Sequence, residues 1–233
     1  MRIFVGEYVT GGGLAEQAID EIPSSLRREG AAMLQSIVSD LAEVAETVVP
    51  LDPRFANAFS SNTTDTVDID RDQSLWGQWV TAAQTCDAAL LVAPESDGIL
   101  AKAVAMLRAS GIDVIAGSGD FLRTASDKHL TAKILHTAGV SHPPYMTLTD
   151  RRMEQELQRF EKFVVKPRDG CGTQEIRIYD SFETASTDLT EDGILQAWIP
   201  GRAISIALIA SATQHSFLPA VSQDLSGSHC AYG

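Results

Sequence analysis

The sequence predicts an α/β protein in two parts, a parallel sheet covered by helices and then an α+β region with antiparallel strands. Short apolar runs alternate with stretches of helical periodicity over residues 1–117. This alternation is typical of a Rossmann-like parallel sheet with helices on both faces. From residue 118 onward, short helical stretches lead into mostly strand-like segments, which favours an antiparallel sheet. We therefore predict two domains, residues 1–117 and 118–233.

Apolar periodicity predicts the elements of the first domain in order. Strands are expected at residues 3–6, 47–51, 88–92 and 113–116. Helices are expected around residues 34–44, 75–83 and 99–107, where apolar side chains recur at helical spacing. Residues 52–65 are expected to form a polar loop, and Gly111 is expected to cap the helix before it.

The second domain is predicted to contain more strands than the first. Helices are expected around residues 121–125, 127–138 and 152–160. Strands are expected at residues 145–148, 163–166, 175–179, 193–199, 204–210 and 217–221.

Composition excludes several classes of protein. The net charge of −13 argues against a general nucleic-acid binder, which needs a basic face. No apolar run approaches about 18 residues, and no signal-peptide core follows Arg2, so we predict neither a membrane span nor a signal peptide. Three scattered cysteines without C-x-x-C spacing favour neither disulfides nor zinc and indicate the reducing cytoplasm.

The most informative segment is Phe163–Thr173, an apolar strand that ends in Lys166 and a proline and opens into a glycine-rich loop. A lysine beside valines on a buried strand indicates that an anion meets it there. Gly170 and Gly172 would let a ligand approach backbone N–H groups, and Thr173 adds a hydroxyl donor. The segment therefore indicates a site for a nucleotide polyphosphate. An ordinary hairpin with a polar Asp-Gly turn is the alternative.

Two further segments could contribute to such a site. Lys128 begins a predicted helix, with Ser126 as its expected N-cap and Asp127 in its first turn. A lysine there opposes the helix dipole, but together with the helix N-terminus it favours an anion site. A solvated surface lysine is the alternative. Residues 195–202 read either as a core strand and turn, or as a connection whose backbone edge binds a flat ligand such as adenine.

In this order, the segments resemble the ATP-grasp superfamily of carboxylate–amine ligases. The matching motifs are Asp127-Lys128, Lys166-Pro167, the small-residue loop 169–173 and the hinge Gln196–Gly201. The resemblance implies a pre-ATP-grasp domain followed by an ATP-grasp domain that is incomplete at its C-terminus. It also implies the cofactors ATP and Mg²⁺, and a reaction in which an amine displaces phosphate from an acyl-phosphate to form an amide.

The resemblance also implies which residues bind ATP. Lys128 and Lys166 would contact the phosphates, and Lys166 would also lie near the adenine. Gln196 and the Ala197 carbonyl would accept from the adenine amino group, and the Ile199 N–H would donate to the ring. The complete implied set is Lys128, Lys166, Gly170, Cys171, Gly172, Thr173, Gln196, Ala197, Trp198 and Ile199.

At two positions this sequence departs from the family pattern, so not every functional role of the family can be assigned to a residue here. Ala203 stands where many relatives place a glutamate for the ribose hydroxyls. Asp224 is the only acidic residue after Gly201, so we assign no metal ligand and no catalytic residue. We expect the native protein to continue past Gly233 by on the order of 80 residues.

Glycine-rich and acidic segments near the ends of two predicted strands are candidates for substrate binding. They follow strands of a predicted parallel sheet, at the edge where open α/β sheets bind ligands. They look like the corresponding segments of tyramine–glutamate ligases of methanofuran biosynthesis and of pyrrolysine-pathway ligases. Structural turns are the alternative. The candidate residues are Glu7, Gly11, Gly12, Gly13 and Glu95.

The expected function is that of a cytoplasmic ATP-dependent ligase, similar to tyramine–glutamate ligase and acting in a C1-carrier cofactor pathway. Its expected partners are a small carboxylate and a small amine, without nucleic acid or membrane, and a homo-oligomer stays open. The alternative is a non-catalytic ATP-binding protein or a truncated ligase fragment, so catalysis by this chain alone stays open. A dinucleotide-dependent oxidoreductase is disfavoured because no G-x-G-x-x-G fingerprint follows the first strand.

Overall fold

A computed structural model describes residues 1–59, 64–170, 175–223, 225–226 and 231–232. The chain divides into two compact units, Met1–Arg123 and Thr124–Gly233. The predicted boundary between residues 117 and 118 lies slightly before this division and stays a prediction.

The first unit is built on four parallel strands in the order β3-β2-β1-β4. These strands are β1 (Arg2–Glu7), β2 (Glu46–Leu51), β3 (Thr64–Asp68) and β4 (Ala88–Val92). The helices are α1 (Ser24–Leu41), α2 (Leu75–Ala83) and α3 (Ile99–Ala109), while α4 (Gly119–Ala125) runs across the division between the units.

Alternation along β1 explains why both faces of this sheet carry helices. Phe4 packs in one apolar cluster with Trp79 of α2, whereas Val5 packs in a second cluster with Leu34 of α1. Successive residues of a strand point to opposite faces, so β1 needs a helical layer on each side. The predicted parallel-sheet domain is therefore confirmed.

Three expectations for the first domain are wrong in detail. Residues 64–68 form β3, a strand that was not predicted and whose first two residues fall in the expected loop 52–65; this edge strand is mostly exposed and lacks an apolar face that the sequence could reveal. Val114 makes only an isolated bridge to Ala89, so the strand expected at 113–116 is not formed. Val44 lies beyond the end of α1 and is 66% exposed.

The second unit contains an antiparallel sheet in the order β5-β8-β6-β7. Its strands are β5 (Tyr145–Met146), β6 (Phe163–Pro167), β7 (Arg177–Tyr179) and β8 (Gly193–Ala197), and its helices are α5 (Lys128–Thr137), α6 (Glu154–Leu157) and α7 (Phe182–Thr187). Phe163 and Val165 pack with Leu157 of α6 and Ala185 of α7 on one face. Ile194, Tyr145 and Ala132 of α5 form a smaller cluster.

Three short antiparallel pairs follow this sheet. The strands are β9 (Ile204–Ser205), β10 (Leu208–Ala210), β11 (His215–Phe217), β12 (Val221–Ser222), β13 (Leu225–Ser226) and β14 (Ala231–Tyr232). They pair as β9 with β12, β10 with β11 and β13 with β14. Large apolar side chains in this region stay exposed, including Ile209 at 64% and Phe217 at 60%.

The predictions for the second domain are correct in type and less accurate in extent. The helix expected at residues 152–160 is a single turn, and the strand expected at 193–199 ends at Ala197. The segment expected as one strand at 204–210 is divided into β9 and β10. Helix α7 was not predicted; Ser181 caps it by accepting from the Thr184 N–H at 3.3 Å. No helix within the described ranges is long and apolar enough to cross a bilayer.

Candidate functional site

Lys166 and Gln196 lie on the same face of the second sheet. In the antiparallel register of β6 and β8, Lys166 lies opposite Ile194 and Val164 lies opposite Gln196. Directly opposed residues share a face, and alternate residues along a strand return to it. The strand lysine and the predicted adenine-binding glutamine therefore point to one side of the sheet.

Lys166 is a largely buried cation, and no carboxylate of the described residues compensates its charge. Burial lowers the pKa of its ammonium group, and the positive charge of Lys128 lowers that pKa further. No carboxylate of the described residues lies within ion-pair distance of its Nζ. A buried ammonium group is unfavourable unless an anion compensates it, so this position suits a negatively charged ligand.

Lys128 is held beside Lys166 by the backbone that follows β6. Its Nζ donates to the carbonyl oxygens of Asp169 and Gly170, both at 2.8 Å. Its backbone N–H donates to the Arg168 carbonyl, also at 2.8 Å. The first turn of α5 is thereby attached to the end of β6, and two lysines distant in sequence become neighbours.

Asp127, not Ser126, is the N-cap of α5. Its Oδ1 accepts from the N–H groups of His129 at 2.8 Å and Leu130 at 3.1 Å, so the expectation that Ser126 caps the helix is wrong. Arg168 donates to Asp127 Oδ2 at 2.5 Å. Burial opposes ionisation of Asp127, but the bond from Arg168 and those from the helix N–H groups outweigh it and lower its pKa.

The ion pair between Asp127 and Arg168 was not predicted from the sequence. Asp127 directly precedes Lys128, and Arg168 follows Lys166 by two positions. Asp127 and Arg168 themselves lie 41 positions apart. Only the packing of α5 against the end of β6 brings them together. The pair fixes the position of the helix start that carries Lys128.

The hinge after β8 presents backbone groups at the sheet edge. Trp198 N–H donates to the Lys162 carbonyl at 2.9 Å, and Ala197 N–H donates to the Pro144 carbonyl at 3.0 Å. Pro144 has no N–H, so it cannot donate in return to the Ala197 carbonyl. Ile199 lies beyond the end of β8 and is 50% exposed. These positions are compatible with the predicted contacts of Ala197 and Ile199 with adenine, which stay predictions.

Part of the predicted phosphate loop lies outside the described residues. This applies to Cys171, Gly172 and Thr173, so their predicted phosphate contacts are neither placed nor tested. Gly170 is described and has a φ of 75°, in the left-handed region that glycine adopts at low cost.

Glu7 is a buried acidic residue among the candidate substrate residues. It is 2% exposed, and its carboxylate accepts from Val9 N–H at 3.1 Å and from both the N–H and the hydroxyl of Thr10 at 2.7 Å. These bonds organise the turn after β1. A structural role for Glu7 is therefore directly visible, and contact with substrate stays a prediction.

The three glycines after Glu7 lie in the wide helical turn Val9–Gly13. Trp79 Nε1 donates to the Gly11 carbonyl at 2.9 Å, and a Cβ on Gly11 would lie 2.8 Å from that ring. Gly12 has a φ of 93°, and Gly13 is overlain by the Tyr8 ring. Close packing thus accounts for these glycines without a ligand.

Glu95 follows β4 and precedes a short 3₁₀ turn, Ser96–Gly98. The turn after β1 and the segment after β4 stand at the carboxyl ends of adjacent strands, where the strand order reverses. Ligands of open α/β sheets bind at such a switch point. Substrate binding by this group stays a prediction about the first unit, whereas the two lysines and Gln196 belong to the second.

No metal centre is formed by the side chains that the structure describes. Within those ranges, no three histidine, cysteine, aspartate or glutamate residues come together to hold an ion.

Comparisons with known proteins agree with this architecture. Residues 125–232 match the model of the ATP-grasp domain family, and residues 45–120 match that of the pre ATP-grasp 3 domain. The chain carries a pre-ATP-grasp domain followed by an ATP-grasp domain. The resemblance stated from the motifs is thereby confirmed.

Individual relatives are distant in sequence. The chain is 22% identical over 206 residues to tyramine–L-glutamate ligase from Methanocaldococcus fervens, a match that covers 87% of this chain and 60% of that protein. The chain thus spans about three-fifths of the length of this curated relative.

Solved structures share the fold of both domains. A protein of the ATP-grasp superfamily from Archaeoglobus fulgidus superposes with a TM-score of 0.71 at 21% identity, over 100% of this chain and 63% of that one. N5-carboxyaminoimidazole synthetase from Staphylococcus aureus, complexed with ADP, gives a TM-score of 0.60 at 14% identity, over 99% and 56%. At these identities the likeness concerns the fold.

Proposed function

We propose that this chain is the nucleotide-binding part of an ATP-dependent ligase that joins a small carboxylate to a small amine. The observation that carries the proposal is Lys166, a largely buried ammonium on an apolar strand, with Lys128 beside it and no described carboxylate in range. Lys166 in β6 and Lys128 at the start of α5 place two positive charges side by side, which suits a polyphosphate better than a singly charged ligand.

In the proposed binding mode, ATP lies on the second unit. Its adenine is at the C-terminal end of β8, and its phosphates are at the C-terminal end of the antiparallel strand β6. The adenine amino group donates to the Ala197 carbonyl and to Gln196, while Ile199 N–H donates to the ring. Lys166 and Lys128 contact the phosphates. The Lys128 Nζ leaves the carbonyls of Asp169 and Gly170, at least in part, to reach a phosphate oxygen.

The proposed reaction proceeds in two steps. A carboxylate oxygen of the acid attacks the γ-phosphorus of ATP, and ADP leaves with the electron pair of the broken P–O bond. The amine nitrogen then attacks the acyl carbon, phosphate leaves, and the nitrogen loses a proton to give the amide. The lysines neutralise charge that develops on the transferred phosphoryl group. Mg²⁺ is proposed only as the usual companion of ATP, and no step is assigned to it.

The proposed substrates are of the kind named for the Methanocaldococcus relative, an amino dicarboxylic acid and a primary amine. The support is the 22% identity over 87% of this chain and the switch-point position of the Glu7 and Glu95 segments. The C1-carrier pathway, the cytoplasmic location and the lack of nucleic-acid or membrane partners remain parts of the proposal.

Replacing Lys166 tests the nucleotide site directly. Lys166→Ala should weaken binding of a non-hydrolysable ATP analogue at least tenfold, about 1.4 kcal/mol, because the phosphates lose their buried counter-charge. Titration calorimetry measures the affinity. Lys162→Ala is the matched control, since it removes the same charge from an exposed side chain on the same domain, 58% accessible. Equal affinities for the wild type and Lys166→Ala, with both proteins folded by circular dichroism, would contradict the proposed site.

A further inference from the structure

A cavity of about 550 Å³ in the first unit is lined by three arginines. Arg27 and Arg28 lie near the start of α1, and Arg54 lies in the segment that follows β2. These segments extend from the carboxyl ends of β1 and β2, which are neighbours in the parallel sheet. The cavity therefore lies at the sheet edge where open α/β folds bind ligands, but beside a different strand pair from the Glu7 and Glu95 segments.

Arg54 is already fully engaged and shapes the wall of this cavity. It donates to the Asp52 carboxylate through Nε at 3.0 Å and through Nη2 at 2.6 Å. Its Nη1 donates to the Gln17 carbonyl at 2.6 Å, and Nη2 also donates to the Leu14 carbonyl at 3.0 Å. Arg54 has little capacity left for a ligand.

Arg27 and Arg28 are not engaged in this way. The Nε of Arg27 is shielded from solvent and has no hydrogen-bond partner. No carboxylate of the described residues forms an ion pair with either arginine. Glu21, shortly before α1, accepts from Ala18 N–H at 3.2 Å. Two neighbouring guanidinium groups thus have no counter-charge among the residues that the structure describes.

The guanidinium groups of Arg27 and Arg28 favour an anionic ligand in this cavity. The Nε of Arg27 is shielded from solvent, so a ligand in the cavity meets this guanidinium group through its Nη1 and Nη2 groups, and a charged donor group without an acceptor costs free energy that a bound acceptor would recover. The planar fork of a guanidinium group matches a carboxylate through two parallel hydrogen bonds. The net charge of −13 does not prevent this, because charges more than about 8 Å away are largely screened at physiological salt.

The side chains on the other walls of the cavity indicate the chemical character of the rest of the ligand. Ile19, Ala31 and Phe55 give the cavity an apolar side, and Ser24 and Asn57 add polar groups. An organic body with one or two carboxylates fits such a mixed lining better than a bare inorganic ion.

We propose that this cavity binds a small organic carboxylate, held through two hydrogen bonds by Arg27 and supported by Arg28. Identifying this ligand with the acid substrate of the ligase rests on the proposed function; the carboxylate site itself does not. Nothing in the nucleotide site is needed for the cavity to bind its ligand.

Side-chain nitrogen resonances provide a direct test on the full chain without nucleotide. L-glutamate and glutarate are titrated into ¹⁵N-labelled protein, and the arginine Nε–H signals are followed, with the Arg27 signal assigned from its loss in Arg27→Lys. The Arg27 Nε–H should shift saturably with at least one of the two acids. In Arg27→Gln, backbone shifts of Ser24 and Asn57 should report an affinity at least tenfold weaker.

Arg123→Gln is the matched control for charge. Arg123 is 65% exposed on α4, and its replacement should leave the affinity for either acid unchanged. Equal affinity in wild type and Arg27→Gln, no saturable shift with either acid, or binding of inorganic phosphate alone would each overturn the carboxylate site. Because ATP is absent, such a result leaves the Lys166 test of the nucleotide site standing.

Discussion

At the scale of single residues, Lys166 shows how one side chain can destabilise the free protein and still stabilise a complex with an anionic ligand. It follows three buried residues of β6, Phe163, Val164 and Val165. The fold keeps an ammonium where burial and a second lysine both disfavour its charge. Such an arrangement is typical of functional sites, where desolvation and a specific charged neighbour shift a pKa together.

The lowered pKa of Lys166 predicts a pH effect on stability. The unfolded chain holds its lysine protons up to a pKa of about 10.4, whereas the folded protein releases the Lys166 proton at lower pH. Between the two values the unfolded state binds more protons, so the free energy of unfolding should rise with pH through the folded pKa. Urea unfolding at a series of pH values measures this rise.

Lys166→Met is the control for that effect, since it keeps the stem and removes the titrating group. The variant should lack the rise attributed to Lys166. A rise of the same size in both proteins would show that another group causes it. Addition of an ATP analogue should also raise the Lys166 pKa towards its ordinary value, because nearby phosphates stabilise the ammonium form.

At the scale of elements, α1 shows how packing can outweigh helix propensity. Gly30 stands inside this helix, where glycine is less favourable than alanine by roughly 0.5–1 kcal/mol. A Cβ at Gly30 would lie 2.7 Å from Glu7 Oε2, which is held in place by its bonds to Val9 and Thr10. The close approach of α1 to the turn after β1 therefore requires glycine.

We expect Gly30→Ala to destabilise the protein by about 1–3 kcal/mol, because overpacking against the Glu7 carboxylate exceeds the gain in propensity. Gly77→Ala in α2 is the matched control. There the nearest atom to a new Cβ is Ser74 Cβ at 3.6 Å, an ordinary contact. That variant should be neutral or more stable by up to about 1 kcal/mol. Urea unfolding of both variants gives the comparison, and a stabilised Gly30→Ala would contradict the packing argument.

At the scale of the whole molecule, the chain consists of two units that have separate apolar clusters. All described residues of the proposed nucleotide site belong to the second unit. The arginine cavity and the Glu7 and Glu95 segments belong to the first. The division thus separates the residues proposed for ATP from those proposed for the other substrates.

Nucleotide should therefore stabilise the second unit more than the first. An ATP analogue at about 100 times its dissociation constant should add about 2.7 kcal/mol to the stability of the unit that binds it. Hydrogen exchange with mass spectrometry should show this gain in α5, β6 and β8, with a smaller change in α1 and β2. Lys166→Ala should lose the gain at the same analogue concentration. Larger protection in α1 and β2 would place the nucleotide in the first unit.

Local sequence patterns were sufficient to predict the type of both domains and the order of the motifs. Apolar residues of β1, β2 and β4 form short consecutive runs in the sequence, and helices such as α2 carry apolar side chains at regular spacing. These patterns are local, so they can be read without coordinates. Lys166 was identifiable for the same reason, because an ammonium next to buried valines is unusual in any fold.

Contacts between residues that are distant in sequence could not be predicted, because they follow from tertiary packing. Edge strand β3 has no apolar face, and its place follows from pairing with β2. The ion pair of Asp127 with Arg168, and the cavity between Arg27 and Arg54, join segments that are far apart along the chain. Such contacts depend on how helices pack on the sheet, since spacing along the chain fixes the face on which a side chain lies but not the partner that it meets there.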